Sequence, residues 1–192
     1  MPDSAPLVAV LAAGAGSRFG GGKLDAMLAG KHVGQWVLDA VVAAGLPPGV
    51  IVVPGHTPDF ARESGWPTLT NVCASDGMGT SIALAASAAL GQGRSLLVLL
   101  ADMPLVTPAH LAALLTYRAA ATLYPDGKLG VPALVGPDLL PHLAELAGNT
   151  GAGPLLARWG GVARVAAPED MLLDIDRPED LARAEDLLTG RG

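Results

Sequence analysis

The sequence predicts an α/β fold: a single domain over residues 1–192, built on a Rossmann-like, mostly parallel sheet with helices on both faces and a late antiparallel hairpin. Three observations carry that expectation. Short apolar runs without polar alternation recur along the chain, as expected of strands buried on both faces, and segments of helical character separate them. A Gly-rich loop follows the first run, at the place where an open parallel sheet binds its ligands. A Pro-Asp-Gly turn, Pro125 to Gly127, breaks the alternation late in the chain.

The predicted strands are Leu7 to Ala12, Val50 to Pro54, Thr70 to Cys73, Leu96 to Ala101, Val131 to Val135, Val162 to Ala166 and Met171 to Ile175. Helices are predicted over 34–45, 78–93, 107–121 and 177–190. Thr107 followed by Pro108, and Pro178 followed by two acids, are start signals, and glycines at the far ends are stops. In "LYPDGKLGVPALV" the tight turn predicts a hairpin inserted into the sheet.

Length and charge narrow the classes. A chain of 192 residues can bury one sizeable core but is short for two ordinary domains. Its composition, 51% hydrophobic and 16% charged, is that of a compact soluble protein rather than a disordered one. No apolar run reaches the roughly 18 residues of a membrane span, and "MPDSAPLVAV" lacks the basic start of a signal peptide, so a cytoplasmic location is expected. The single cysteine, Cys73, excludes a disulfide framework within the chain and a thiolate metal cluster; it reads as a small buried hydrophobe. A net charge of −6 with no basic block makes nucleic acid an unexpected partner. A small phosphorylated ligand is compatible with it, given local donors and a metal ion to bridge it to carboxylates.

The loop "LAAGAGSRFGGGK" supplies such donors. Gly14, Gly16, Gly20, Gly21 and Gly22 let the backbone approach a ligand and turn N–H groups toward it, and Arg18 and Lys23 add positive charge. Two phosphate-binding templates fail here. A dinucleotide fingerprint needs glycine where Phe19 stands, and a P-loop needs glycine in place of Ser17 and a hydroxyl in place of Leu24. What remains suits an anionic phosphate chain whose charge must be neutralised during reaction. Lysine is scarce, with only Lys23, Lys31 and Lys128, which sets the loop lysine apart from a solubilising surface charge.

Two further segments end apolar strands on acids. "LLVLLADMPLVTP" places Asp102 at the carboxyl end of a strand, and "MLLDIDRPEDLARA" does the same with Asp174 and Asp176. Such acids also cap turns and helices. Carboxylates at the sheet edge where the Gly-rich loop opens can hold Mg²⁺ against a triphosphate, because Mg²⁺ takes one or two carboxylates and fills its shell with phosphate oxygens and water. His32, His56, His110 and His142 show no metal spacing and read as solvated or capping histidines. "GAGSR" is no nucleophile elbow, and Trp36, Trp66 and Trp159 read as packing residues.

Taken together, "LAAGAGSRFGGGKLDAMLAGK", "ASDGMGTSIA", "LADMPLVTP", "GNTGAGPLLA" and "DIDRPEDL" resemble, in order and spacing, the MobA-like nucleotidyltransferases over nearly the whole chain. Leu11-Ala12-Ala13-Gly14 and the "DIDRPED" ending are most similar to the molybdenum cofactor cytidylyltransferase branch. The resemblance implies a nucleotide-diphospho-sugar transferase-like fold and transfer of CMP from CTP to the phosphate of molybdopterin, with Mg²⁺ as cofactor and release of pyrophosphate. It implies that Leu11, Ala12, Ala13 and Gly14 lie along base and ribose, that Gly16, Ser17 and Arg18 cradle the outer phosphates, and that Lys23 meets the α-phosphate. Asp76, Met78 and Gly79 would approach the nucleoside from the other side, and Asp102, Asp174 and Asp176 would hold the metal. Arg18, Lys23 and Asp102 are thus the expected catalytic residues.

Pro132, Asn149 and Gly151 would face the acceptor. There the chain departs from the pattern: Val131 stands where relatives have Asn or His, and Asn149 where they have Asp. The implied partners are small molecules and a transient contact with a molybdenum hydroxylase, with no membrane. Nucleotidyl transfer to another phosphorylated small molecule, a nicotinamide-dependent oxidoreductase and a non-catalytic molybdenum cofactor carrier are the alternatives.

Overall fold

In the computed structural model, which describes residues 5–14 and 19–190, the apolar runs assemble into one seven-stranded sheet. In chain order the strands are β1 (Leu7–Leu11), β2 (Met27–Leu28), β3 (Lys31–His32), β4 (Val50–Val53), β5 (Thr68–Thr70), β6 (Leu96–Leu100), β7 (Ala120–Leu123), β8 (Leu129–Val135) and β9 (Ala163–Ala166). The helices are α1 (Val33–Ala43), α2 (Asp59–Ser64), α3 (Met78–Gly91), α4 (Pro108–Leu114), α5 (Leu140–Ala144), α6 (Gly153–Arg158) and α7 (Pro178–Thr189). The large sheet runs β5-β4-β1-β6-β8-β7-β9, and β2 pairs with β3 in a separate antiparallel ribbon.

Within the large sheet β8 alone runs against its neighbours, pairing antiparallel with both β6 and β7. This is the expected late hairpin. Its turn closes through Tyr124 N–H to Lys128 O and Gly127 N–H to Tyr124 O, with Gly127 at φ 81°. Gly at that position avoids the clash that a Cβ brings at positive φ.

β1 shows why the sheet is covered on both sides. Val8 and Val10 join the core beneath α1, α2, α4 and α7, while Leu7, Ala9 and Leu11 join the core beneath α3, α5 and α6; all five are buried. A strand with no solvent face has no polar residue to alternate. Among the described residues no helix is long and apolar enough to cross a membrane.

Three expected elements differ. The helix over 107–121 stops at Leu114, and Ala120 and Ala121 instead open β7, where their small side chains fit between β8 and β9. The strand expected at Thr70 to Cys73 lies earlier, at Thr68–Thr70, because Asn71 turns the chain. Met171 to Ile175 is not a strand: a 3-10 turn over Glu169–Leu172 leads into extended chain that makes one contact of ladder type among the described residues, Ile175 N–H to Asp102 O, 2.9 Å. Met171 and Ile175 are fully buried, so their apolar character reflects core filling rather than sheet pairing.

Candidate active site

The parallel pair β1 and β6 ends at one sheet edge, where Ala101 N–H donates to Leu11 O at 3.0 Å. Asp102 follows directly. The bond from Ile175 N–H to Asp102 O brings the 174–176 segment alongside, and Asp180 at the start of α7 fixes it further by accepting from the backbone N–H of Asp176 (3.0 Å) and Arg177 (2.8 Å). Two acids 74 residues apart in sequence, Asp102 and Asp176, thereby meet over one cation.

That cation is Lys23. Its Nζ donates to Asp102 Oδ2 at 2.6 Å and to Asp176 Oδ1 at 3.2 Å, and its side chain is 8% exposed. Burial by itself would lower the Lys23 pKa; the charge and hydrogen bond of Asp102, followed by those of Asp176, outweigh it and hold the ammonium above the ordinary lysine value. Asp174 is pushed up to about 7, first by desolvation and then by the neighbouring charges of Asp102 and Asp176.

Beside this centre lie two adjoining cavities that share Ala13, Gly14, Ala74 and Ser75. One, of about 350 Å³, is lined by Gly21, Gly22, Lys23, Asp25 and His56. The other, of about 290 Å³, is lined by Leu11, Met78, Ser81, Leu100, Asp102 and Asn149. The ridge between them is the end of β1 facing the turn before α3. That turn is packed tightly against the 147–149 segment: Gly79 N–H donates to Gly148 O at 2.9 Å, and a Cβ on Gly79 would stand 2.7 Å from Ala147 O.

A second, uncharged network holds the floor of the smaller cavity. Asn71 and Ser81 are both buried; Asn71 Nδ2 donates to Thr80 Oγ1 and to Ser81 Oγ, each at 2.9 Å, while Asn71 Oδ1 accepts from Cys73 N–H at 3.0 Å. On the far side of the acids, Tyr124 donates from its hydroxyl to Val131 O at 2.8 Å. Its ring covers Gly130, where a Cβ would come within 2.7 Å. Burial, followed by the charges of Asp174, Asp102 and Asp126, pushes the Tyr124 hydroxyl up to about 12, so it remains a donor.

The sequence-derived residues distribute as follows. Leu11, Ala12, Ala13, Gly14, Lys23, Met78, Asp102 and Asn149 line one or both cavities. Asn149 lines the smaller cavity together with Met78 and Ser81. Gly79 supports the turn from beneath, and exposed Asp76 lines neither cavity. Pro132 is buried within β8, its carbonyl accepting from Thr122 Oγ1 at 2.7 Å, and neither it nor Gly151 lines either of these two cavities. Gly16, Ser17 and Arg18 lie outside the described residues.

Among the described residues no three His, Cys, Asp or Glu side chains are placed to hold one metal together. The pair Asp102 and Asp176 is the set whose oxygens converge on a cation.

Two other expectations are corrected. Cys73 is exposed, because the residues after Asn71 turn outward. His110 is neither solvated nor a cap: it is 6% exposed, and its Nε2 lies 2.8 Å from Thr122 Oγ1. Since Thr122 gives its proton to Pro132 O, the imidazole must be the donor. Ser81, Tyr124 and Asp180 lie in segments the sequence singled out without being given these roles, and Asn71 had no signal beyond residue type.

A model of the MobA-like NTP transferase domain matches residues 8–164. Over 115 residues the chain is 34% identical to the bifunctional protein GlmU of Pelobacter propionicus, an alignment spanning 57% of this chain and 25% of that protein. The chain thus spans about a quarter of the length of that curated relative. Among solved structures, a nucleotidyl transferase from Methanothermobacter thermautotroptrophicus superposes with a TM-score of 0.80 at 24% identity, covering 98% of this chain and 100% of that one. The molybdopterin-guanine dinucleotide biosynthesis protein A of Archaeoglobus fulgidus gives a TM-score of 0.64 at 22% identity, covering 95% and 98%.

Proposed function

We propose, from the premise that this chain belongs to the MobA-like NTP transferase family and is a nucleotidyltransferase, that it moves CMP from CTP onto the phosphate of a molybdopterin-type acceptor. The acceptor phosphate oxygen attacks the α-phosphorus in line, the bond to the bridging oxygen breaks, and pyrophosphate leaves. Such transfers depend on positioning and charge neutralisation, with little covalent work for the protein.

The observation that carries the reading is the convergence of Lys23, Asp102 and Asp176 beside two adjoining cavities at the carboxyl edge of the sheet. The smaller cavity would take the nucleoside, with Leu11, Ala13, Gly14 and Met78 around it. The larger, lined by Gly21, Gly22 and Lys23, would take the phosphates, joined by Gly16, Ser17 and Arg18. Lys23, a full cation by its raised pKa, would turn toward the α-phosphate and offset the charge that develops there.

The donor set fits a hard divalent ion. Asp102 and Asp176 oxygens already meet on one ammonium, and carboxylate oxygens suit Mg²⁺. These two residues would hold it, with Asp174 beside them, and the ion would supply Lewis-acid polarisation of the phosphates.

Support for a molybdopterin acceptor comes from the sequence resemblance and from the structural likeness to the molybdopterin-guanine dinucleotide biosynthesis protein A of Archaeoglobus fulgidus. A second reading, transfer to a different phosphorylated small molecule, is favoured by one observation: Val131, buried at the start of β8, offers no polar group on the acceptor side. Pyrophosphate release from CTP, GTP, ATP and UTP with Mg²⁺, with and without molybdopterin, separates them. Release from CTP that requires molybdopterin is the expected result; release that requires another phosphorylated acceptor supports the second reading; no release with any nucleotide overturns both.

A further inference from the structure

We propose that Asn71 is a positioning residue that fixes the Ser81 hydroxyl as a hydrogen-bond donor into the smaller cavity, so that the cavity selects a nucleobase edge carrying an acceptor. The proposal rests on the reading of that cavity as the nucleoside site.

The argument is one of donor and acceptor balance. Cys73 N–H can only donate, so the atom of Asn71 facing it at 3.0 Å is the carbonyl Oδ1. The orientation of the amide is therefore settled by the backbone, and Nδ2 necessarily faces Thr80 and Ser81. Both of its protons are used. Thr80 accepts one and passes its own proton to Gly77 O (2.8 Å) or Cys73 O (3.0 Å).

Ser81 accepts the other proton on Oγ, and among the described residues no protein acceptor takes the Ser81 proton in return. Ser81 is 3% exposed and lines the cavity with Met78 and Leu100. A buried hydroxyl whose lone pair is already engaged must spend its proton on the ligand or leave it unsatisfied. The ligand atom seated there has to be a carbonyl oxygen or an unprotonated ring nitrogen, as on the O2 and N3 edge of cytosine. An amino group or ring N–H could use only the second lone pair of Oγ and would leave the buried Ser81 proton without an acceptor, so it is disfavoured.

Asn71→Asp tests this at nearly constant volume. The carboxylate still accepts from Cys73 N–H, but its second oxygen can only accept, so it captures the Ser81 proton and turns the hydroxyl lone pairs toward the ligand. The expected result, by titration calorimetry with CTP and Mg²⁺, is a loss of affinity of about tenfold or more. Ser81→Ala alone is expected to lose about tenfold. The deciding comparison is the double variant. If Asn71 acts through Ser81, Asn71→Asp costs less than about threefold once Ser81 is Ala.

A new negative charge near the phosphates, or a looser turn, would cost the same in both backgrounds, and that outcome overturns the proposal. So does a Ser81→Ala variant that binds CTP as tightly as the wild type; this arm stands even if Asn71→Asp does not fold. Wild-type protein that binds none of CTP, UTP, GTP and ATP with Mg²⁺ would instead remove the nucleoside reading itself, and the two failures are told apart by that control.

Discussion

The two polar centres of this site are built on opposite principles. Lys23, Asp102 and Asp176 form a charged set at the mouth of the cavities, in which a single ammonium sits between two carboxylates. Asn71, Thr80 and Ser81 form a neutral set behind the smaller cavity, in which both amide protons and the carbonyl oxygen of Asn71 have fixed partners. The first can trade one cation for another with little change of shape. The second cannot change one hydrogen-bond direction without reversing what it presents. On the proposed function, the charged set governs rate and the neutral set governs which ligand is accepted.

Substitution at the charged set breaks that division most directly. Asp102→Ala is expected to lower metal-dependent kcat by about three orders of magnitude or more and to lower the melting temperature, because the buried Lys23 ammonium loses its nearer carboxylate. CTP affinity measured without metal should hardly change. Retention of normal turnover would show that the carboxylate is structural.

Lys23→Met comes next, with an expected loss of kcat of about two to three orders of magnitude. It carries a second readout in the opposite direction. Without the ammonium, Asp102 and Asp176 are left facing each other, so Mn²⁺ should bind the nucleotide-free variant about tenfold more tightly than the wild type, by electron paramagnetic resonance. Equal Mn²⁺ affinity would mean that the two acids are not the cation-holding pair.

How much of this was legible beforehand follows the same division. The charged set was readable because its signals are local: a lysine in a Gly-rich loop, and acids that end apolar runs. Which two of the three acids converge was not, since it depends on the single bond from Ile175 to Asp102 O and on Asp180 holding the backbone of Asp176. The neutral set was invisible because a lone Asn near a Thr-Ser pair is ordinary in any sequence; its meaning lies in the direction of one amide. Strands β1, β4 and β6 could be read from their uninterrupted apolar runs. β7 could not, since "AATL" fits the end of a helix as well as a strand, and only pairing with β8 and β9 decides.

Between the two sets lies the turn that joins them, and Gly77 sharpens the comparison. It sits at φ 120°, and a Cβ there would run into Asn149 Oδ1 and stand 2.5 Å from Gly148 O. Gly77→Ala should destabilise the fold by about 1–3 kcal/mol and weaken CTP binding, since the turn carrying Met78 and Ser81 must move. Gly21, at φ 96° in the loop on the charged side, has nothing near a Cβ among the described residues, so Gly21→Ala should meet chiefly the backbone cost and cost less. Paired denaturant titrations check the difference.

The smallest expected effect concerns His110, which belongs to neither set but supports β8 through Thr122 and the Pro132 carbonyl. Burial lowers its pKa below the ordinary 6.5, so the native protein holds it neutral while the unfolded chain protonates it more readily. Its contribution to stability is therefore complete above the unfolded pKa and is lost as pH falls through the folded one. Asp174, pushed up to about 7, titrates across the same range, so the slope of wild-type stability with pH mixes both groups. His110→Gln keeps a donor for Thr122 and removes only the titration. The melting temperature of the variant should fall less between pH 7.5 and pH 5 than that of the wild type; parallel curves would show that protonation of His110 does not oppose folding, and that the imidazole keeps contact with water in the native state.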